Sequence, residues 1–244
     1  MVAGSCQNKN QKLQRLHLFL QRYSFMYSFL KRTTDLFLSI TAIVFLLPLL
    51  VPIVFLLLCT GEREVFYRQR RIGQNGKPFW ILKFATMLRN SAEIGTKEIT
   101  LRNDPRVTPV GRFLRKTKLN ELPQLLNVLT GEMSMVGPRP LMEVSYQLYT
   151  PEQQTRIYES KPGITGIGSI VFRDEEKLVS DAKDPRAAYQ NIFSYKAELE
   201  IWYRSRASWA LDGLILLVTA WSVLVPNTQL PHRLWKDLPQ KSPF

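Results

Sequence analysis

The amino-acid sequence predicts an α+β protein in which a membrane-embedded, re-entrant helix-break-helix joins a small, mostly helical domain with short strands and amphipathic surface helices. Three observations carry this reading. A charge-free run of 23 residues extends from Leu36 to Leu58. Pro48 and Pro52 lie inside that run, and basic residues flank both of its ends. Beyond it, short apolar segments alternate with turn signals and helically spaced leucines. The segments follow as residues 1–30, a basic amphipathic stretch; 31–60, the membrane helix; 61–225, the folded domain; and 226–244, a tail.

Composition narrows the chemistry. The 244 residues are 45% hydrophobic, as expected of a folded chain. With 33 Lys and Arg against 20 Asp and Glu, the net charge is +13, which calls for an anionic partner: nucleic acid, a phospholipid surface or a phosphorylated substrate. The two histidines, His17 and His232, lie near the chain ends. A Ser-His-Asp triad or a His-rich zinc site therefore has almost nothing to be built from, and acid-base work falls to carboxylates and lysines. Cys6 and Cys59 make no disulfide framework and no metal-ligand spacing, in keeping with a reducing compartment. Met1 to Gln14 is polar and basic, unlike the start of a cleavable signal peptide.

Taken in order, Leu13 to Leu30 mixes apolar residues with Arg15, Gln21 and Arg22, which suits either an amphipathic helix in the headgroup plane or an ordinary core-facing helix. The apolar run that follows is roughly 35 Å long as a helix, enough to cross a ~30 Å hydrocarbon core. Two features favour a re-entrant path over a simple span. Pro48 and Pro52 each remove a backbone donor and crowd the preceding turn. Lys31 and Arg32 precede the run while Arg63, Arg68, Arg70 and Arg71 follow it, and one span cannot place both flanks on the cytoplasmic side. Gly61 to Lys118 then carries 14 basic and 5 acidic residues, a face suited to anionic headgroups or phosphates. Within it, Val65 to Tyr67 and Pro78 to Lys83 read as strands around an Asn75-Gly76 turn. Leu122, Leu125, Leu126 and Leu129 mark a helix from Asn120 to Leu129, stopped by Gly131. A loop at Val136 to Pro140 leads to a helical Glu152 to Glu159 and a glycine-rich turn at Pro162 to Gly168. Ser208 to Val225 is apolar and fits either a second membrane-surface helix or core. The proline-containing tail after Pro226 reads as extended or disordered.

The candidate chemistry lies between Arg112 and Arg139. Glu121 and Glu132 sit among Arg112, Arg115, Lys116, Lys118 and Arg139, the mixture needed to hold a divalent metal beside a pyrophosphate and to neutralise its oxygens; the bland alternative is a solvated charge run. Pro138 and Pro140 restrict the backbone around Arg139, so its guanidinium fork can be held ready for phosphate or a base edge.

At these residues the chain resembles the bacterial sugar transferases known as monotopic polyprenyl-phosphate phosphoglycosyl transferases. The likeness covers Lys31 to about Leu224. It rests on Lys31, Arg32 and Asp35 at the entry to the apolar run, on FYRQRRIGQNGKPFWILKF, on NDPRVTPVGRFLRKTKLNELPQLLNVLTGEMSMVGPRP and on KPGITGIG. The resemblance implies transfer of a phosphosugar from a UDP-sugar to polyprenyl (undecaprenyl) phosphate with release of UMP. That step would begin exopolysaccharide, O-antigen or glycoprotein glycan assembly. It also implies a re-entrant helix with an α/β-type catalytic domain at the cytoplasmic face of the bacterial inner membrane, Mg2+ as cofactor, and downstream glycosyltransferases as partners. Carried over by position, Glu121 matches a metal-binding glutamate, Lys83, Arg112 and Arg115 match basic groups near the phosphates, and Pro138 and Arg139 match a nucleotide-binding loop. Lys161 and Pro162 match a substrate-facing turn, and Lys31, Arg32 and Pro48 match the membrane and lipid-phosphate region.

Three positions depart from the family pattern. Asn120 stands where the family has its nucleophilic aspartate, Ala85 replaces a basic residue, and Leu47-Pro48 replaces Ser-Pro. With Asn120, Glu121 could attack, the lipid phosphate could attack directly, or the chain could be an impaired relative that binds nucleotide sugar or partner proteins. A nucleic-acid-binding role has no use for the apolar run and is set aside.

Overall fold

A computed structural model of the chain describes residues 2–60, 62–91, 104–225 and 230–239. The first element, α1 (Val2–Cys59), is a 58-residue helix, and its stretch Met26–Cys59 is long and apolar enough to cross a membrane. The expected break does not interrupt it, because Pro48 and Pro52 both lie inside the helix. Each proline removes one backbone donor while the remaining turns keep their bonds. One stripe of α1 faces the rest of the protein at Asp35, Ser39, Ile53 and Leu57, which are buried. The opposite face presents Phe37, Val44, Phe45, Val51 and Phe55, with Phe45 84% exposed, an apolar surface of the kind that marks a membrane or protein contact. The amphipathic character expected of Leu13 to Leu30 falls, through residue 25, on side chains outside the described ones.

The folded part starts with a hairpin, β1 (Phe66–Ile72) against β2 (Pro78–Phe84), antiparallel with Phe66 opposite Phe84 and Ile72 opposite Pro78. Asn75 (φ 55°) and Gly76 (φ 72°) make the turn in the left-handed region, as an Asn-Gly pair allows. Helix α2 (Pro109–Lys116) is capped by Thr108, whose side chain accepts from Gly111 N–H. It is followed by a 3-10 turn, Leu119–Glu121, and by α3 (Gln124–Thr130), which Gly131 ends at φ 87°. The helix expected from Asn120 thus begins four residues later, after Pro123. Asn127 docks α3 on β2: its Oδ1 accepts from Leu82 N–H at 3.0 Å and its Nδ2 donates to Trp80 O at 2.8 Å.

Strand β3 (Ser134–Val136) precedes α4 (Glu143–Tyr146) and α5 (Pro151–Tyr158), the latter closed by a capping box between Thr150 and Gln153. Strand β4 (Gly163–Thr165) then pairs parallel with β3. The glycines here serve protein packing, since a Cβ at Gly163 would fall 2.1 Å from Gly137 N. Next come α6 (Ile167–Val171), α7 (Glu175–Ser180), α8 (Pro185–Arg206), α9 (Trp209–Leu224) and α10 (Leu230–Leu234).

The main core gathers Val136, Ile167, Ile192, Leu199, Tyr203, Ile215 and Val218 from β3, α6, α8 and α9. Helix α9, for which the sequence leaves two fates open, contributes Ile215 and Val218 to the core, whereas Trp209, Leu217, Trp221 and Val223 are exposed. The tail is not wholly extended, because α10 is helical and Leu238 joins the core; residues 226–229 and 240–244 lie outside the described ones. Asp212 locks α1 to this core, accepting from Lys31 Nζ at 2.6 Å, Tyr27 Oη at 3.0 Å and Tyr203 Oη at 2.6 Å.

Candidate active site

The 3-10 turn at Leu119–Glu121 projects Glu121 toward the end of β2. Lys118, in the left-handed conformation at φ 61°, reverses the chain ahead of it. Lys83, on β2, places Nζ 3.2 Å from Glu121 Oε1, and Arg139 places Nη2 3.3 Å from the same oxygen. Tyr158 Oη donates to Arg139 O at 2.8 Å and steadies the loop that carries the guanidinium. These groups line a cleft of about 1090 Å³ together with Arg71, Arg115, Lys118 and Asn120. Five cationic side chains thus gather with Glu121 at this end of the cleft, and two of them, Lys83 and Arg139, share its Oε1. Such a cluster suits a ligand carrying two phosphates.

The electrostatics follow from this crowding. Burial by itself would raise the Glu121 carboxyl, but Lys83, Arg139 and Lys118 together hold it well below the usual carboxylate range. Burial, opposed by Glu121 and reinforced by Arg71 and Arg139, pushes the Lys83 ammonium down to about 8. Burial and the neighbouring Arg139 push Arg71 down to about 10. Asn120 is buried, and its Oδ1 has no hydrogen-bond partner among the described residues, an arrangement that costs free energy unless a ligand satisfies the atom.

The sequence-derived site residues divide sharply. Lys83, Arg115, Asn120, Glu121 and Arg139 share the cleft, whereas Arg112, Pro138, Lys161 and Pro162 do not line it. Arg112 is exposed on α2. Pro138 O accepts from Gly163 N–H at 2.9 Å and Pro162 O accepts from Ser134 N–H at 2.9 Å, so both carbonyls join the two strands instead of facing a ligand. Lys161 lies beside Arg32 near Gly131. Lys31 is held by Asp212 and Val136 O, and Arg32 donates to Val128 O and Leu129 O at the end of α3, so both basic residues anchor α1 to the domain. Pro48 lies exposed on α1. Arg71 is a site residue that the sequence reading does not single out; its signal is its place in the FYRQRRIG block.

A fold with this cleft on a long apolar helix can be set beside known families. Residues 26–226, from α1 through α9, match the bacterial sugar transferase family. The chain belongs to that family. It is 40% identical over 200 residues to an uncharacterized sugar transferase, EpsL, of Bacillus subtilis (strain 168), covering 80% of this chain and 88% of that protein. It is 39% identical over 161 residues to a UDP-galactose-lipid carrier transferase of Erwinia amylovora, covering 60% of this chain but 33% of the relative. It is 36% identical over 176 residues to the UDP-glucose:undecaprenyl-phosphate glucose-1-phosphate transferase of Escherichia coli (strain K12), covering 71% of this chain and 37% of the relative. The chain therefore spans about a third of the length of the last two proteins.

Proposed function

We propose that this sugar transferase moves a sugar phosphate from a UDP-sugar to undecaprenyl phosphate, releasing UMP, at the cytoplasmic face of the bacterial inner membrane. The observation that carries the reading is Glu121, paired with Lys83 and Arg139 in a cleft that Arg71, Arg115 and Lys118 also line and that is large enough for a nucleotide sugar. The same cleft is lined by Ala42 and Leu46 of α1 and by Thr219, Ser222 and Val223 of α9. The phosphate-binding end is thereby connected to the two helices whose other faces are apolar and exposed, which suits an acceptor with a lipid tail and a charged head. The names of the Erwinia and Escherichia relatives point to the same chemistry, and exopolysaccharide or lipopolysaccharide assembly is the corresponding pathway class.

A monotopic placement of α1, with both ends on one side of the membrane, is supported by those ends meeting one domain, although the helix lacks the break expected of a re-entrant path. Lys31 and Asp35 contact β3 and α9 near the start of the apolar run, while Ile53 and Leu57 pack with Phe84 and Leu114 near its end. A helix that crossed a bilayer would carry one of these ends away from the domain.

Asn120 cannot form an acyl-phosphate, so the reading we favour is a single displacement. An oxygen of the lipid phosphate forms a bond to the donor's β-phosphorus, the bond from that phosphorus to the bridging oxygen breaks, and UMP departs with its electron pair. Lys83, Arg71 and Arg139 would draw charge from the pyrophosphate. Magnesium fits the residues present: Glu121 and the unpartnered Asn120 Oδ1 are hard oxygen donors, and Mg2+ characteristically takes one or two protein ligands plus substrate phosphates. When bound, it would neutralise charge on the pyrophosphate. Asn120 also favours one other reading, a relative that binds nucleotide sugar without turning it over. The test is UMP release in nanodiscs with undecaprenyl phosphate, Mg2+ and a panel of UDP-sugars. Release that needs the lipid supports the transferase, and donor binding without release supports the binding protein.

A further inference from the structure

Beyond its phosphate-binding end, the cleft has a second built wall that the proposed chemistry does not use. Glu175 opens α7, and Tyr189, Phe193 and Lys196 succeed one another along α8; all four line the cleft. Lys196 Nζ donates to Glu175 Oε2 at 2.6 Å. The lysine side chain is 7% exposed and the glutamate 25%, so the carboxylate is the member that reaches the open space. The ammonium sits 5.4 Å from the Phe193 ring centre and 5.6 Å from that of Phe172. Phe193 in turn packs on Tyr189, with ring centres 4.7 Å apart.

A buried, paired charge of this kind adds little to stability by itself, because desolvation offsets the attraction. Its chemistry matches a polyol more closely than a phosphate: a carboxylate accepts from hydroxyls, an adjacent ammonium donates to them, and a nearby aromatic surface covers the C–H face of a ring. The location adds a further constraint. Glu175 and Lys196 both act electrostatically on Arg139, so the wall adjoins the phosphate-binding end of the cleft.

We propose that Glu175 and Lys196, backed by Tyr189 and Phe193, form the subsite that holds the hexosyl ring of the donor and selects among its hydroxyl and acetamido patterns. The inference rests on the UDP-sugar reading above and assigns a place to the sugar within it. A site that hydrogen-bonds a ligand's hydroxyls through a carboxylate and an ammonium rejects an analogue lacking them more strongly than an apolar wall does.

The experiment is calorimetric binding of UDP, UDP-glucose, UDP-galactose, UDP-N-acetylglucosamine and UDP-N-acetylgalactosamine to the full chain in nanodiscs. The proteins compared are the unsubstituted chain, Glu175→Gln and Lys196→Gln. Each variant is expected to bind UDP with a Kd within about twofold of the unsubstituted chain. Binding of the preferred UDP-sugar should weaken about tenfold to a hundredfold, the loss expected for a hydrogen bond to a charged group, and the order of preference among sugars should change. Equal weakening for UDP and every UDP-sugar would overturn the proposal in favour of a nucleotide-binding or purely structural wall. Unchanged sugar binding in Glu175→Gln would overturn it as well, and that substitution at a partly exposed position serves if Lys196→Gln fails to fold. Absence of UDP binding by the unsubstituted chain would instead remove the donor reading itself, and the subsite with it.

Discussion

Lys83 and Glu121, 38 residues apart in the chain, meet at 3.2 Å inside the cleft, where the hairpin brings β2 against the turn that follows α2. Among the described residues, Glu121 is the one carboxylate within hydrogen-bond reach of both Lys83 and Arg139. Glu121→Gln keeps the shape and removes the charge, and with it the carboxylate proposed above to hold a metal. UMP release should fall by at least about a hundredfold, the scale of losing one electrostatic contact in a preorganised site. Sedimentation with membranes should be unchanged, because the substitution leaves the apolar face of α1 intact. Activity within a few fold of the unsubstituted enzyme would remove Glu121 from the site.

The Lys83 ammonium sets a pH limit. Its pKa is depressed to about 8 from 10.5, so the free enzyme loses this charge as pH rises through about 8, and kcat/KM for an anionic donor should fall along that limb. Stability moves the other way. Between about 8 and 10.5 the folded state holds fewer protons at this site than the unfolded state, so the Lys83 contribution to folding stability increases with pH. A basic decline in kcat/KM without a fall in melting temperature is therefore the expected pattern. Lys83→Arg should move the decline to higher pH.

Asn120→Asp separates single from double displacement. With an amide at 120 no covalent sugar-phosphate adduct should be trapped when the donor is supplied without lipid. The aspartate variant places a carboxylate among Lys83, Arg115, Lys118 and Arg139, whose field favours its ionised form. Intact-mass measurement should then show an added sugar phosphate in the variant alone. An adduct on the unsubstituted chain would shift the attacking role to Glu121.

Much of this could be read from residue order. Asn75-Gly76 specifies the hairpin turn, although the strands run further than their apolar cores suggest, because Arg68, Arg70 and Arg71 occupy β1 beside its apolar residues. Ser208 before an apolar run announces α9. Helix α8 left no such pattern: its buried side includes Lys196 and Glu200, which break the apolar period on the face where that period should show. The parallel pair β3 and β4 is three residues a side and is held by glycine contacts, too short for an alternation to register. Within the site, the residues of the 3-10 turn and Arg139 were legible because opposite charges cluster there. The roles of Pro138, Lys161 and Pro162 depend on which way each backbone group faces once β3 and β4 pair, and residue spacing carries no information on that.

Asp212 is the pin between α1 and the domain. It is 7% exposed and accepts from Tyr27, Lys31 and Tyr203. Asp212→Ala removes the carboxylate and leaves Lys31 facing Val136 O without its counter-charge. Breaking a buried pair on one side costs about 3–5 kcal/mol, so thermal unfolding in nanodiscs should come several degrees lower. The paired substitution Lys31→Met with Asp212→Leu should recover part of the loss, since no charge is then left unpaired. Recovery to neither side of the single variant would mean that the tyrosine hydroxyls, and not the ion pair, dominate the pin.

The path of α1 through the lipid can be settled with thiols. Cys59 is exposed at the end of α1, and Thr33 is exposed near the start of the apolar stretch. A Cys6→Ser background leaves Cys59 as the reporter for one end, and Thr33→Cys with Cys59→Ser reports the other. The intervening residues measure roughly 39 Å along a helix at ~1.5 Å per residue, more than a hydrocarbon core, so a spanning helix would present the two thiols on opposite faces. Contacts of Asp35 with β3 and of Leu57 with Phe84 and Leu114 place both ends on one domain, so both thiols should react with a membrane-impermeant maleimide from the cytoplasmic side of sealed inverted vesicles and resist it in intact spheroplasts. Reaction of the two from opposite sides would make α1 a span. Replacing Pro48 and Pro52 by Leu tests the part the prolines play: retained same-side labelling would assign that placement to the domain contacts, and a switch to opposite sides would assign it to the prolines.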